Sequence, residues 1–173
     1  MEIKAISDAG HIIHLSEISK TACFSLFSTV LVTHEVYSEV KACNLPGNDE
    51  IESKVFEIVH LESNKKDRAE YYSLKYDISI ADATVITLAK YTGINLILTD
   101  DLDVRDILKS QDMQPVGSIG ILLRAYRERV IPYNEALEAL ENLQEISSLY
   151  VTSKLIENAK QALKEYDAGH RLK

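Results

Sequence analysis

Asp8, Glu39, Asp82, Asp100 and Asp101 are the residues of this 173-residue chain whose types and positions could do chemistry. Asp8 closes the first apolar segment, and Asp100 and Asp101 follow the apolar INLIL run at 94–98. Asp82 opens an apolar helical stretch, and Glu39 lies in the stretch after TVLV at 29–32. Carboxylates gathered in a fold repel one another, and without compensation one or more takes up a proton. A divalent cation removes the conflict. Mg²⁺ and Mn²⁺ prefer hard oxygen ligands. Such a cation makes its water a better nucleophile and screens the charge that builds on a phosphodiester under attack. Acids that converge in this way would serve metal-assisted phosphodiester hydrolysis.

Each acid also has a purely structural reading. Asp8 could N-cap the helix that follows it. Ser79-Ile80-Ala81-Asp82 has the shape of a capping box, with Asp in place of the usual Glu. Asp100, Asp101 and Asp103 could be first-turn acids favoured by the helix dipole. Glu39 borders the buried stripe marked by Val36, Val40 and Cys43, and a solvated face is the default for a helical Glu. Glu35 and Glu39 are like charges at i,i+4, a mildly unfavourable pair. No single acid is diagnostic.

The elements that must position these acids follow from periodicity and punctuation. Residues 3–7 read as a strand, 11–18 and 22–27 as helical, and 29–32 as a β-branched strand. Thr33 can cap a helix running to about Ala42, and 44–48 (NLPGN) breaks the chain. A helical turn at 49–53, a strand at 55–61 and an exposed helix at 64–76 come next. The apolar helix 81–91 ends at Gly93. INLIL is the strongest strand signal, a continuous apolar run suited to a sheet buried on both faces. A helix from Asp101 or Asp103 to about Ser110, a strand at 114–116 and a helix at 118–129 complete the pattern. Strand and helix alternate, so a parallel sheet with helices on both faces is expected. In open α/β sheets ligands bind beyond the carboxyl ends of the strands, which is where Asp8, Asp100 and Asp101 should lie. Helices at 134–146 and 153–167 follow, and 169–173 (GHRLK) should fray.

The bulk numbers narrow the class. The length suits one domain, residues 1–130, with helices at 131–173 packing on it or on a dimer partner. A net charge of −8 argues against a broad footprint for duplex DNA. Cys23 and Cys43 form no CxxC pattern, which disfavours a structural zinc site and suits a reduced, cytoplasmic chain. No signal peptide and no membrane span are expected.

The acids and their surroundings resemble the PIN-domain superfamily, and most closely the archaeal and bacterial group related to VapC-type toxins. The pieces that carry the resemblance are Ile6-Ser7-Asp8-Ala9-Gly10, Val36-Tyr37-Ser38-Glu39-Val40 and Ile80-Ala81-Asp82-Ala83. They continue with 98–105 (LTDDLDVR) and 115–122 (PVGSIGIL). The resemblance covers roughly residues 4–165. The resemblance implies a three-layer α/β/α fold with a central parallel sheet and a C-terminal helical extension. It implies Mg²⁺- or Mn²⁺-dependent hydrolysis of RNA, often by the toxin of a toxin–antitoxin pair, so RNA and an antitoxin protein are the implied partners. A homodimer is also expected. By position Asp8, Glu39 and Asp82 match the first three acids of the site. The Thr-x-Asp pattern picks Asp101 as the fourth, while the double Asp leaves Asp100 open as a metal ligand. Asp103 matches a position that is often acidic. Many PIN domains carry Ser or Thr two residues after the first Asp, where this chain has Gly10.

Other side chains admit two readings each. Arg105 could contact a phosphate or orient the acids, or simply pair with Asp101 or Asp106 on the surface. Tyr71, Tyr72 and Tyr76 could stack bases, though at helical spacing packing is the commoner role. Arg124, Arg127 and Arg129 could bind RNA or complement a helix C-terminus. His11 and His14 could act as a general base, or sit satisfied in a helical turn. The rival to a nuclease is a non-catalytic PIN-like module that binds RNA or protein. A receiver domain or a haloacid-dehalogenase-like phosphatase ranks lower. The first strand ends in one Asp, not a pair, and DxD is absent there.

Overall fold

A computed structural model describes residues 2–42 and 46–171. The strands are β1 (Lys4–Ser7), β2 (Thr29–Thr33), β3 (Phe56–Val59), β4 (Leu96–Leu98) and β5 (Gln114–Val116). The helices are α1 (Ala9–Glu17), α2 (His34–Ala42), α3 (Ser63–Tyr76), α4 (Ile80–Thr92), α5 (Leu102–Lys109), α6 (Ser118–Arg127), α7 (Tyr133–Glu145) and α8 (Ser153–Arg171). Two 3₁₀ turns, Thr21–Leu26 and Glu50–Glu52, fill connections.

The sheet has five strands, all parallel, in the order β3-β2-β1-β4-β5, and helices cover it. This is the expected three-layer α/β/α architecture. Its core is aliphatic: Ala5, Ile6, Val30, Val32, Ile97 and Leu98 are fully buried in the three central strands. The chain moves from β1 to β2 on one side and returns to β4 on the other. The crevice at the ends of β1 and β4 is therefore the switch point at which such sheets bind ligands. Register fixes what lies there. Ser7 pairs with Leu98, and the Asp8 amide donates to the Leu98 carbonyl at 3.1 Å. Asp8 thus begins its helix beside the residues that lead to Asp100 and Asp101.

Several boundaries differ from the sequence reading. INLIL contributes only Leu96–Leu98 to the sheet, because Gly93 is a left-handed helix cap and Asn95 is exposed. The strand expected at 55–61 is limited to Phe56–Val59. The helix expected to fray at 169–173 continues through Arg171. Leu172, Lys173, the place of Cys43 on the α2 stripe and the start of the 44–48 break lie outside the described residues.

α6, α7 and α8 pack against one another. The Tyr126 hydroxyl donates to Asp167 at 2.6 Å, and Glu17 of α1 accepts from the Ser148 amide at 2.7 Å. Among the described residues no helix is long and apolar enough to cross a membrane. Cys23 is buried and free, and burial pushes its thiol up to about 11, leaving it inert as a nucleophile near neutral pH.

Candidate metal and phosphodiester site

Two of the acids cap helices and a third partners a cap, as the structural reading expected. Asp8 caps α1 by accepting from the His11 amide at 2.9 Å. Asp101 caps α5 by accepting from the Val104 amide at 2.9 Å. Ser79 caps α4: its hydroxyl accepts from the Asp82 amide at 3.0 Å and donates to the Asp82 carboxylate at 2.6 Å. In each case one carboxylate oxygen is engaged at the cap, and Asp8 also bonds the Thr99 side chain. Capping therefore fixes where the acids stand.

The electrostatics group the acids into two sets, Asp8 with Asp100, and Glu39 and Asp82 with Asp101. Asp8 is buried, and burial pushes its carboxyl up to about 6, with the nearby charge of Asp100 adding to the rise and His11 and Thr99 opposing it. Burial also raises Asp82, and the charge of Asp101 adds to the effect while Ser79 opposes it. Glu39 is exposed on α2, yet partial desolvation raises it too, with the charge of Asp82 as the second cause. Asp8 thus feels Asp100, and Glu39 feels Asp82, which feels Asp101. Among the described residues no lysine or arginine forms an ion pair with Asp8, Glu39, Asp82 or Asp101.

Asp100 lives in the opposite environment. Its Oδ1 accepts from the Ser118 amide at 2.7 Å. Its Oδ2 accepts from the Ser118 hydroxyl at 2.5 Å and pairs with His14 Nδ1 at 2.9 Å. His11 Nδ1 stands 3.6 Å from the same oxygen. Burial pushes Asp100 upward, but the two histidines and Ser118 outweigh it and hold the carboxyl well below the usual carboxylate range. The Ser118 proton goes to Asp100, so in its 3.4 Å contact with Ser118 the His11 Nδ1 must be the donor. His11 is fully buried, and its Nε2 has no partner among the described residues. The expected pair of satisfied histidines is thus half realised: His14 is satisfied by Asp100, and His11 keeps one orphan nitrogen.

Arg105 makes neither of the surface pairs expected for it. Asp106 pairs instead with Lys109 at 3.2 Å, and Arg105 Nη1 donates to the Thr99 carbonyl at 3.0 Å. Gly117 leaves room for this arrangement. A Cβ there would come within 2.8 Å of Asp100 Oδ1 and 3.0 Å of Arg105 Nη1, so a side chain would force them apart. Asp103 is exposed in the first turn of α5. Tyr72 is buried, Tyr71 is half exposed, and Arg127 lies 5.8 Å from the Tyr166 ring. Ser118 and Thr99 were given no chemical role by the sequence reading. Their signal was their place in the segments that carry the family resemblance, Thr99 in the Thr-x-Asp pattern and Ser118 at the start of α6.

The donor set suits a hard divalent cation in kind: carboxylates whose charge the protein leaves uncompensated. Among the described residues no three Asp, Glu, His or Cys side chains are set to hold an ion together as they lie.

Fold and acids together define a doubly flanked parallel sheet with an acidic switch-point crevice. The PIN-domain family matches residues 4–165, and the chain belongs to it. Among solved structures it is similar to VapC20 of Mycobacterium tuberculosis, described as a Sarcin-Ricin loop cleaving toxin. The TM-score is 0.52 at 18% identity, over 65% of this chain and 98% of that one. That likeness speaks for the fold. No curated protein matches the chain in sequence.

Proposed function

We propose that the protein is a Mg²⁺- or Mn²⁺-dependent endoribonuclease, acting as the toxin of a toxin–antitoxin pair. The observation that supports this reading is a set of acids held short of positive charge, of which Asp8 is the buried member. A fold can keep such a group at neutral pH at little cost only if a cation joins it.

Asp8, Asp82 and Asp101 would hold the cation, directly or through water. When bound, it supplies a more acidic water and charge screening for the phosphodiester. Glu39, raised by desolvation and by Asp82, is suited to accept a proton from the attacking water. Asp100 is a brace: through Ser118 and His14 it ties the segment after β4 to α6 and α1, which fixes the direction of Asp101. Arg105 braces the same segment at Thr99 and keeps further guanidinium donors for a phosphate.

Titration of Mn²⁺ into the wild-type chain and into Asp8→Asn, with cleavage of a labelled single-stranded RNA measured alongside, tests the reading. Binding heat should vanish in the variant, and cleavage should fall by about 10³-fold, since several kcal/mol of transition-state charge stabilisation goes with the cation. EDTA should stop the wild type. Undiminished cleavage by pure Asp8→Asn would overturn the assignment. Gly10, where a hydroxyl is usual, favours a second reading as a non-catalytic RNA- or protein-binding module. That reading expects retained binding and no Mn²⁺ heat.

A further inference from the structure

Beside Asp100 a groove of about 820 Å³ runs along the outer side of the edge strand β5. Its walls come from α5, the first turn of α6 and the segment 149–158 that leads into α8. Val116, Ile119 and Val151 give it an apolar surface. Arg105, Lys109 and Lys154 give it positive charge, and Asp100 is the one carboxylate among its lining residues. Both oxygens of Asp100 are already engaged by Ser118 and His14. A chain of net charge −8 has thus gathered cations here. Tyr150 stands among the lining residues with 89% of its surface exposed, and among the described residues its ring packs on no other ring.

We infer that this groove binds one or two unpaired nucleotides of the RNA next to the bond to be cut. An occupant must offer flat apolar surface to Tyr150 and the aliphatic wall, and negative charge to Arg105 and Lys154, since Lys109 already pairs with Asp106. A base and its phosphate supply both in one unit, and stacking on an aromatic ring tolerates any base. The volume lies within the range of small-ligand pockets. Continuity with the candidate site favours a nucleic-acid strand over a peptide. Arg105 and Asp100 line the groove and flank Asp101 in the chain, so a strand lying here passes beside the segment that carries Asp101. The paired geometry of a duplex would keep its bases from reaching the aliphatic wall. The inference rests on RNA being the substrate, as proposed above.

Fluorescence anisotropy of a fluorescein-labelled ten-nucleotide single-stranded RNA, in EDTA and with the RNA checked intact on a gel, reads binding apart from cleavage. Tyr150→Ala and Lys154→Ala should each raise Kd by about tenfold, as the loss of one stacked base or one phosphate contact does. For Lys154→Ala the slope of log Kd on log salt should also flatten by about 0.7. Tyr71→Ala, the same chemistry on α3, should leave Kd unchanged. Tyr150 and Tyr71 are exposed enough that neither change should disturb folding. An unchanged Kd in both groove variants, or no binding by the wild type, overturns the inference; in the first case a protein segment becomes the better occupant. Binding that depends on Tyr150 and Lys154 without any cleavage in Mn²⁺ would instead sink the nuclease reading and leave the groove assigned. Cleavage with wild-type KM in both variants would do the reverse.

Discussion

Asp100 and Asp101 are neighbours in the chain and opposites in the fold. Asp100 is ringed by Ser118, His14 and His11, which hold its carboxyl well below the usual carboxylate range. Asp101 caps α5 with one oxygen and its charge acts on Asp82, and Asp8, Asp82 and Glu39 are all pushed upward. The difference separates two uses of a carboxylate. Where the protein supplies the partners, the acid is a structural tie. Where it withholds them, the acid is ready for a ligand from outside.

The sharpest way to break this contrast is to neutralise each member in turn. Asp101→Asn should lower cleavage by about 10²–10³-fold through lost charge stabilisation. It should alter stability by only a few tenths of a kcal/mol, because Asn caps a helix about as well as Asp. Asp100→Asn should behave the other way in urea unfolding. It removes the charged acceptor of a mostly buried hydrogen-bond network and should cost about 2–4 kcal/mol. Equal stability losses in the two variants would erase the distinction.

The pH dependence should differ in sign between the two environments. Asp8 is raised from 3.8 to about 6 in the folded state. The folded protein therefore binds more protons than the unfolded chain between about pH 4 and 6, and stability falls as pH rises through that window. A shift of this size is worth about 3 kcal/mol at most. In EDTA at pH 7, Asp8→Asn should thus be about 1–3 kcal/mol more stable than wild type, with the gain gone below pH 4. Asp100 is lowered, so its contribution is present above its unfolded value and lost as pH falls below about 4. A flat difference between Asp8→Asn and wild type from pH 4 to 7 would remove burial as the cause.

The smallest expected effect sharpens the uncompensated side. A Cβ on Gly10 would sit 3.4 Å from His14 Cε1 and 3.7 Å from Asp8 Oδ1, both ordinary contacts. Gly10→Ser should therefore fit, raise stability by about 0.5 kcal/mol through helix propensity, and bring a hydroxyl toward Asp8. Cleavage should rise by a few-fold at most. A fall would show that the open space at Gly10 is itself used.

The residues themselves determined more of this protein than any one acid suggested. Alternating apolar runs and caps set the parallel α/β architecture, and the order of Asp8, Glu39, Asp82 and the Asp pair set the family. Those signals are local, since a cap or an apolar period lies within a few residues of what it controls. Only the tertiary structure set the surroundings of Asp100 apart from those of Asp101. Ser118 lies 18 residues from Asp100, His14 lies 86 from it, and His11 meets Ser118 across 107. Contacts at such separations are fixed by strand register and by the crossover that sets β4 beside β1, and they leave no period or spacing in the chain to read. The groove of Tyr150 and Lys154 was invisible for the same reason, because it exists only where α8 meets the edge of the sheet.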